Sequence, residues 1–435
     1  MKSLCRLPLA AACISALMAM TPEAVADQVI QVNAGRGNVN VYYPDSYDPS
    51  EPLPLLIGLH GYSHYGQGFE DYLQLRPHVD SREFIYLYPN GTIDPWGNRY
   101  WNATINCCDF WNTNVDDSGY IQALVGMVKG SLSVDENRVA TIGHSNGGYM
   151  GYRLACDAPE TFAAIISIAG AAWFDPANCP ADQPVHVLQI HGTNDDVVYY
   201  EGEESDSWTG TGYPGAEDSV RQWVAIDHCD ETPDESLPNI NLDYWINGAE
   251  TTKKVWGSCN PGGSGELWSI WGGGHSPYFV PNFAELVLDW LDAHPKAEMS
   301  TRFCESGANS VSSAGAKIFF GGYPSFSSSG LELSAYALPM NQFGIFFGGP
   351  LAQDPAISFG NGFRCGRPQG LHRLNPVVSI TLGEAQRALD LTVPPLDTYQ
   401  PGDTRYFQFW YRDPNDPNGA ASFNLTDGVE VSFWP

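Results

Sequence analysis

Arg138-Val-Ala-Thr-Ile142 followed by Gly143-His144-Ser145-Asn146-Gly147-Gly148 decides how the first two thirds of this chain fold. After Arg138 the strand residues Val139, Ala140 and Ile142 are apolar around one β-branched threonine, as a buried strand requires. The glycines then permit a sharp turn, and Gly148 to Asp157 is compatible with a helix. A G-x-S-x-G string alone is common in a chain with 45 glycines. A strand before it and a helix after it make it specific, because that setting lifts a serine hydroxyl clear at the edge of a sheet.

Outward from this turn, strands and helices alternate. Strands are predicted at Asn38–Tyr43, Leu55–Leu59, Phe84–Tyr88, Ala163–Ile168, Val185–Ile190 and Leu267–Trp271. Several are apolar on both faces, the pattern of parallel strands covered on both sides. Tyr120, Ile121, Leu124, Val125 and Val128 share one helical face, with Asp116 or Asp117 placed as cap; Phe283, Leu286, Val287, Trp290 and Leu291 share another. An α/β layered domain follows for residues 27–298. From 302 to 435 only short strand patterns occur: Ala316–Phe320, Leu331–Ala337, Phe343–Phe347, Arg387–Leu391, Tyr406–Tyr411 and Val429–Phe433. They predict a small all-β, sandwich-like domain. In Phe407-Gln408-Phe409-Trp410-Tyr411, alternation assigns Phe407, Phe409 and Tyr411 to the core and leaves Trp410 opposite.

Ser145 is a weak nucleophile at neutral pH and needs a base, which in turn needs an orienting carboxylate. On a parallel sheet these follow in the order Ser, acid, His, each past the C-terminal end of a strand. Asp195 follows the strand Val185–Ile190 through His191-Gly192-Thr193-Asn194, with Asp196 its competitor. His275 follows Leu267–Trp271 through three glycines. The backbone N–H of Asn146 and that of Tyr62, in His60-Gly61-Tyr62-Ser63 after Leu55–Leu59, are the candidates for stabilising an oxyanion. His60 is read as shaping that loop and His144 as structural. Trp101, Trp111, Trp208, Trp268, Trp271 and Tyr278 stand in or near loops around the site. Trp101, Trp271 and Tyr278, with the Tyr62 ring, are the candidate substrate contacts.

Leu59-His60-Gly61, the Trp101-Asn102…Cys107-Cys108 loop, Val115-Asp116-Asp117, Gly-His-Ser-Asn-Gly-Gly, Tyr152-Arg153-Leu154-Ala155-Cys156, His191-Gly192-Thr193-x-Asp195 and Gly272-Gly273-Gly274-His275 occur in that order. Over roughly residues 30–295 this resembles the secreted esterases grouped as polyhydroxybutyrate depolymerase and feruloyl or acetylxylan esterase. The resemblance implies the α/β-hydrolase fold, ester hydrolysis through Ser145, Asp195 and His275, no metal or other cofactor, and a Cys229–Cys259 bridge. Members often carry Trp-Pro shortly after the catalytic histidine, where this chain has Ser276-Pro277-Tyr278; that departure concerns the substrate pocket. Polymeric or aryl esters are the expected substrates. A serine peptidase on the same fold and a non-catalytic extracellular binding protein are the alternatives.

Lys2 and Arg6, an apolar run from Leu7 to Met20 and Ala24-Val25-Ala26 read as an export signal cleaved near Ala26. No apolar run is long enough for a membrane span. The eight cysteines beyond it are even in number, as in a disulfide-bonded exported chain. Cys304 and Cys365, the two in the last third, are expected to pair. Adjacent Cys107 and Cys108 are expected to take different partners, and Cys156 and Cys179 stay unassigned. With 21 Lys+Arg against 50 Asp+Glu, a net charge of −29, the chain repels nucleic acid and anionic membranes. Asp413-Pro414-Asn415-Asp416-Pro417-Asn418-Gly419 resembles a calcium loop only superficially. Its prolines and Asn-Gly favour a hairpin turn, and no Glu closes a ligand set.

Overall fold

The structure, a computed structural model, describes residues 28–205, 210–326, 330–416 and 419–434. The export signal and Trp208 lie outside these residues.

The first sheet has nine strands: β1 Gln28–Val32, β2 Val39–Tyr43, β3 Leu53–Leu59, β4 Ile85–Leu87, β5 Val134–His144, β6 Ala164–Ile168, β7 His186–Gly192, β8 Thr251–Trp256 and β9 Ser264–Ile270. Their order is β1-β2-β4-β3-β5-β6-β7-β9-β8. The six central strands run parallel, while β1 and β2 at one edge and β8 at the other are antiparallel. Every residue of β6 and β7 is buried, as apolar runs covered on both faces must be. Alternation along β3 builds two cores. Leu55, Ile57 and Leu59 face Ile121, Leu124 and Val128 of helix α2 (Asp117–Lys129) and Met150 and Leu154 of α3 (Asn146–Asp157), whereas Leu56 faces Phe69 and Leu73 of α1 (Gly66–Leu73). Helices α4 (Ala216–Ile226) and α5 (Phe283–Ala293) complete the layers. Asp116 caps α2 by accepting from Gly119 N at 2.7 Å; Asp117 pairs with Arg36 instead.

Each predicted strand of this region is present, with ends shifted by a few residues. β9 starts earlier than expected and stops before Trp271. β1, β8, α1 and α4 were not predicted. α4 carries a buried Trp223 and Val220 among exposed acidic residues, so its periodicity is diluted.

Residues from Ser300 onward form antiparallel sheets. One follows the order β10 (Ser300–Cys304), β20 (Gly428–Ser432), β18 (Thr404–Arg412), β13 (Phe343–Gly349), β16 (His372–Ser379), with β19 (Phe423–Leu425) paired to β18. The other is β11 (Lys317–Gly321), β12 (Glu332–Tyr336), β17 (Ala385–Ala388). Ile318, Leu333 and Ala335 of the second sheet share a core with Phe346, Phe407, Phe409 and Val431 of the first. A separate hairpin joins β14 (Ala352–Phe359) to β15 (Gly362–Gly366). Phe407, Phe409 and Tyr411 are buried and Trp410 half-buried, as expected; Gln408, on the face of Trp410, is buried as well, with its amide on Phe363 O and Thr426 O.

Four disulfides are present: Cys156–Cys179, Cys229–Cys259, Cys304–Cys365 and Cys107–Cys108. The last corrects the expectation of different partners for the adjacent cysteines. The six other cysteines are taken by one another, and a cis peptide sets the Cys107 and Cys108 Cα atoms 3.0 Å apart.

Candidate active site

Ser145 occupies the turn between β5 and α3 with φ 54° and ψ −120°, a conformation that side chains rarely adopt. The neighbouring glycines have steric reasons. A Cβ on Gly147 would lie 2.0 Å from Leu59 O, and one on Gly143 would lie 2.2 Å from Gly147 O. The turn is held by Ser145 N donating to Ile168 O at 2.7 Å and by Gly148 N donating back to Ser145 O at 2.8 Å.

The loops after β7 and β9 are tied together. Thr193 N donates to Ile270 O at 3.0 Å, Asn194 N to Gly273 O at 2.9 Å and Gly272 N to Thr193 Oγ1 at 2.9 Å. This brings three distant side chains into line. Ser145 Oγ lies 3.0 Å from His275 Nε2, and His275 Nδ1 lies 2.8 Å from Asp195 Oδ2. Asp195 is 5% exposed; Asp196 points to solvent. Burial alone would raise the Asp195 carboxyl. Hydrogen bonds from His191 and His275, the charge interaction with His275 and the Val197 N–H outweigh it and hold the group below the ordinary carboxylate range. An ionised Asp195 accepts the Nδ1 proton of His275, so Nε2 is left to accept from the Ser145 hydroxyl.

A buried row of polar groups stands behind Asp195. Tyr152 OH donates to Gln189 Oε1 at 3.0 Å, and Gln189 Nε2 donates to Gly170 O at 2.8 Å and to His191 Nδ1 at 2.9 Å. His191 therefore carries its proton on Nε2, which faces Val198 O at 2.8 Å and Asp195 Oδ2 at 3.2 Å. Sequence reasoning missed this row; a glutamine inside an apolar strand was the available signal. His144 Nε2 lies 2.9 Å from the carbonyl of His275, and burial pulls the His144 imidazole down to about 4. The neutral ring thus donates to the main chain that carries His275.

His60 is fully buried, its Nδ1 2.8 Å from Gly61 O and its Nε2 accepting from Gly91 N at 2.9 Å. Burial pulls it down to about 4, so it stays neutral and pins the loop that follows β3. A Cβ on Gly61 would lie 3.3 Å from Ser145 Cβ, so this loop passes directly beside Ser145. Among the hydrogen bonds of the described residues, neither the Tyr62 N–H nor the Asn146 N–H is used. The Asn146 side chain clamps Trp101 instead, accepting from Trp101 N at 2.7 Å and donating to Trp101 O at 2.9 Å.

A cavity of about 450 Å³ opens over Ser145, lined by Tyr62, Trp96, Phe110, Tyr149, Tyr213 and the Cys107–Cys108 bridge. Burial, then the hydrogen bond to Asp94, pushes the Tyr62 phenol up to about 12, so the ring stays neutral. Trp96 is 62% exposed at the mouth, edge-on to Trp111 at 4.6 Å. It was missed, although Asp94-Pro95-Trp96-Gly97 is a turn that displays a tryptophan at its tip. Three expected contacts are corrected. Trp101 is fully buried and gives its indole N–H to His60 O at 3.0 Å. Trp271 lies outside the cavity with its indole N–H on Thr252 Oγ1. Tyr278 also lies outside it, grouped with Tyr244 and Trp245. Trp268 is a core residue. Among the described residues, no three His, Cys, Asp or Glu side chains converge where they could hold a metal ion.

A family model described as putative esterase matches residues 33–250. Feruloyl esterase C of Emericella nidulans is 32% identical over 165 residues, 37% of this chain and 55% of that protein. Feruloyl esterase B of Piromyces equi is 26% identical over 243 residues, 55% of this chain and 42% of that protein. The chain spans about half the length of the curated relatives it matches. Among solved structures, an acetyl xylan esterase from Aspergillus awamori aligns with TM-score 0.45 and 16% identity, over 61% of this chain and 99% of that one.

Proposed function

We infer the function from this premise: the chain belongs to the esterase family whose model it matches over residues 33–250. It is a serine carboxylic-ester hydrolase, and one observation carries that reading: the line Ser145 Oγ–His275 Nε2, His275 Nδ1–Asp195 Oδ2 at the floor of a cavity. Ser145 Oγ attacks the ester carbonyl carbon while its proton passes to His275 Nε2. The N–H groups of Asn146 and Tyr62 receive the oxyanion. His275 then protonates the departing alcohol, and water resolves the acyl-enzyme by the same route in reverse. Asp195 holds the ring and balances its charge when it is protonated.

The aromatic walls and the volume of the cavity suit a bulky or aryl acyl group, and the feruloyl esterases among the relatives support an ester linked to a polymer. Residues 27–298 are the catalytic domain, and 302–435 an accessory domain that holds the enzyme on that polymer. Three bridges between cysteines well apart in sequence support export to an oxidising compartment. No helix of the described residues is long and apolar enough to cross a membrane.

The test is a panel of methyl ferulate, acetylated xylan, polyhydroxybutyrate film and an aromatic polyester, with Ser145→Ala as control. Turnover of methyl ferulate and fluorophosphonate labelling that both vanish in Ser145→Ala are the expected results. Hydrolysis of peptides but of no ester sinks the reading, as does full activity in the variant.

A further inference from the structure

Asp413 closes β18 and is fully buried. Its Oδ2 accepts from Ser310 N at 3.0 Å, while its Oδ1 is buried without a hydrogen-bond partner. No Lys, Arg or His forms an ion pair with it among the described residues. Asp416 is 8% exposed and follows in the same turn, its N–H 3.4 Å from Asp413 O. Its Oδ2 accepts from Asn424 Nδ2 at 3.1 Å, and Asn424 is itself fully buried. The Tyr411 hydroxyl, on the strand that leads into this turn, accepts from Asn309 Nδ2 at 2.9 Å.

A buried ionised carboxylate without a cation or a full set of donors costs several kcal/mol, and a second carboxylate beside it adds repulsion. Such a pair persists when a cation lies between the two groups. The two acidic side chains offer only carboxylate oxygens. Hard oxygen donors in an irregular turn fit calcium, which accepts six to eight oxygens at flexible geometry and completes its shell with water; magnesium demands a strict octahedron.

We propose that Asp413 and Asp416 bind one calcium ion, which pins the turn after β18 onto β19 and the 308–312 segment of the C-terminal sandwich. This revises the expectation of no metal and is independent of the ester hydrolase reading. The missing acidic residue at the end of the loop was taken to argue against a site. Asn424 and the 308–312 segment come from elsewhere in the chain, which a search for a contiguous loop does not see.

The experiment uses the full chain, stripped with EDTA and dialysed. Calorimetric titration with calcium chloride is expected to give one ion per chain, and terbium to show luminescence excited through Tyr411. Saturating calcium is expected to raise the unfolding temperature of the C-terminal transition by roughly 5 °C or more. Asp413→Asn abolishes all three responses, yet in EDTA it unfolds at or above the wild-type temperature, because it removes an unpaired charge. Asp416→Asn lowers calcium affinity at least tenfold. Absence of one-to-one binding, or wild-type calcium responses in Asp413→Asn, overturns the proposal. So does an Asp413→Asn chain equally destabilised in EDTA and in calcium, which marks a hydrogen-bonding role. An equal response to magnesium overturns the choice of calcium.

Discussion

Replacing Asp195 by asparagine tests the proposed site more sharply than removing Ser145. Asp195 Oδ1 accepts from both Val197 N and Val198 N at 2.9 Å, so this position demands an oxygen acceptor. In Asp195→Asn the carbonyl oxygen must therefore stay there, and the NH2 must take the place of Oδ2. It then faces His275 Nδ1, 2.8 Å away, and donates to it. His275 is driven to the tautomer protonated on Nε2, which cannot accept the Ser145 proton. A base held in the wrong tautomer costs about 10⁴-fold in kcat, or about 5.5 kcal/mol of transition-state stabilisation. The fold survives, since the bonds from Val197 and Val198 are kept and His191 Nε2, losing Oδ2, still donates to Val198 O. Stopped-flow acylation by p-nitrophenyl butyrate, alongside thermal unfolding of the same sample, measures both effects. Asp196→Asn, at an exposed position, is expected to change acylation by less than twofold. Loss of less than tenfold in Asp195→Asn refutes the tautomer argument, and a larger loss in Asp196→Asn reassigns the acid.

Further outcomes are expected elsewhere. Burial pushes the Glu70 carboxyl from 4.5 to about 7, so the native state holds this proton to higher pH than the unfolded chain. Its stability is full below about pH 4.5 and falls by on the order of 3 kcal/mol as pH rises through 7; denaturant midpoints of Glu70→Gln should lack that slope. Gly147→Ala drives a Cβ to 2.0 Å from Leu59 O and should cost at least about 3 kcal/mol, read as a lowered urea midpoint. The Cys304–Cys365 bridge spans 61 residues, and the double serine variant should lose about 4 kcal/mol of stability, measured by denaturant titration. Ile357, Phe359 and Phe363 on the β14–β15 hairpin are 39–41% exposed. Replacing all three with serine should spare soluble-ester turnover and weaken adsorption to insoluble polymer; unchanged adsorption removes that hairpin from the proposed role.

Much of the α/β part was legible because its signals are local. Strands β6 and β7 are buried on both faces and advertise it by uninterrupted apolar runs, and α2 and α5 repeat their apolar residues at helical spacing. Edge strands β1 and β8 were missed because a half-exposed antiparallel strand mixes polar and apolar residues. Strand β16 hid in the same way, with His372, Arg373 and Asn375 among its valines. Of the expected substrate contacts, the Tyr62 ring lines the cavity but Trp101 does not, although both are aromatic residues in loops. Composition cannot separate a tryptophan that caps a histidine carbonyl in the core from one displayed at a rim.

By itself the sequence determined the layered α/β architecture, the turn that presents Ser145 and the three positions, Ser145, Asp195 and His275, that the fold brings into line. Each follows from neighbours within a few residues: apolar periodicity, and glycines where a Cβ would strike backbone. Tertiary structure alone decided that Cys107 bonds Cys108, that Trp96 and not Trp101 edges the cavity, that His191 stands behind Asp195, and that Asn424 reaches Asp416. Those pairings depend on how loops pack, and loop packing leaves no period in the sequence to read.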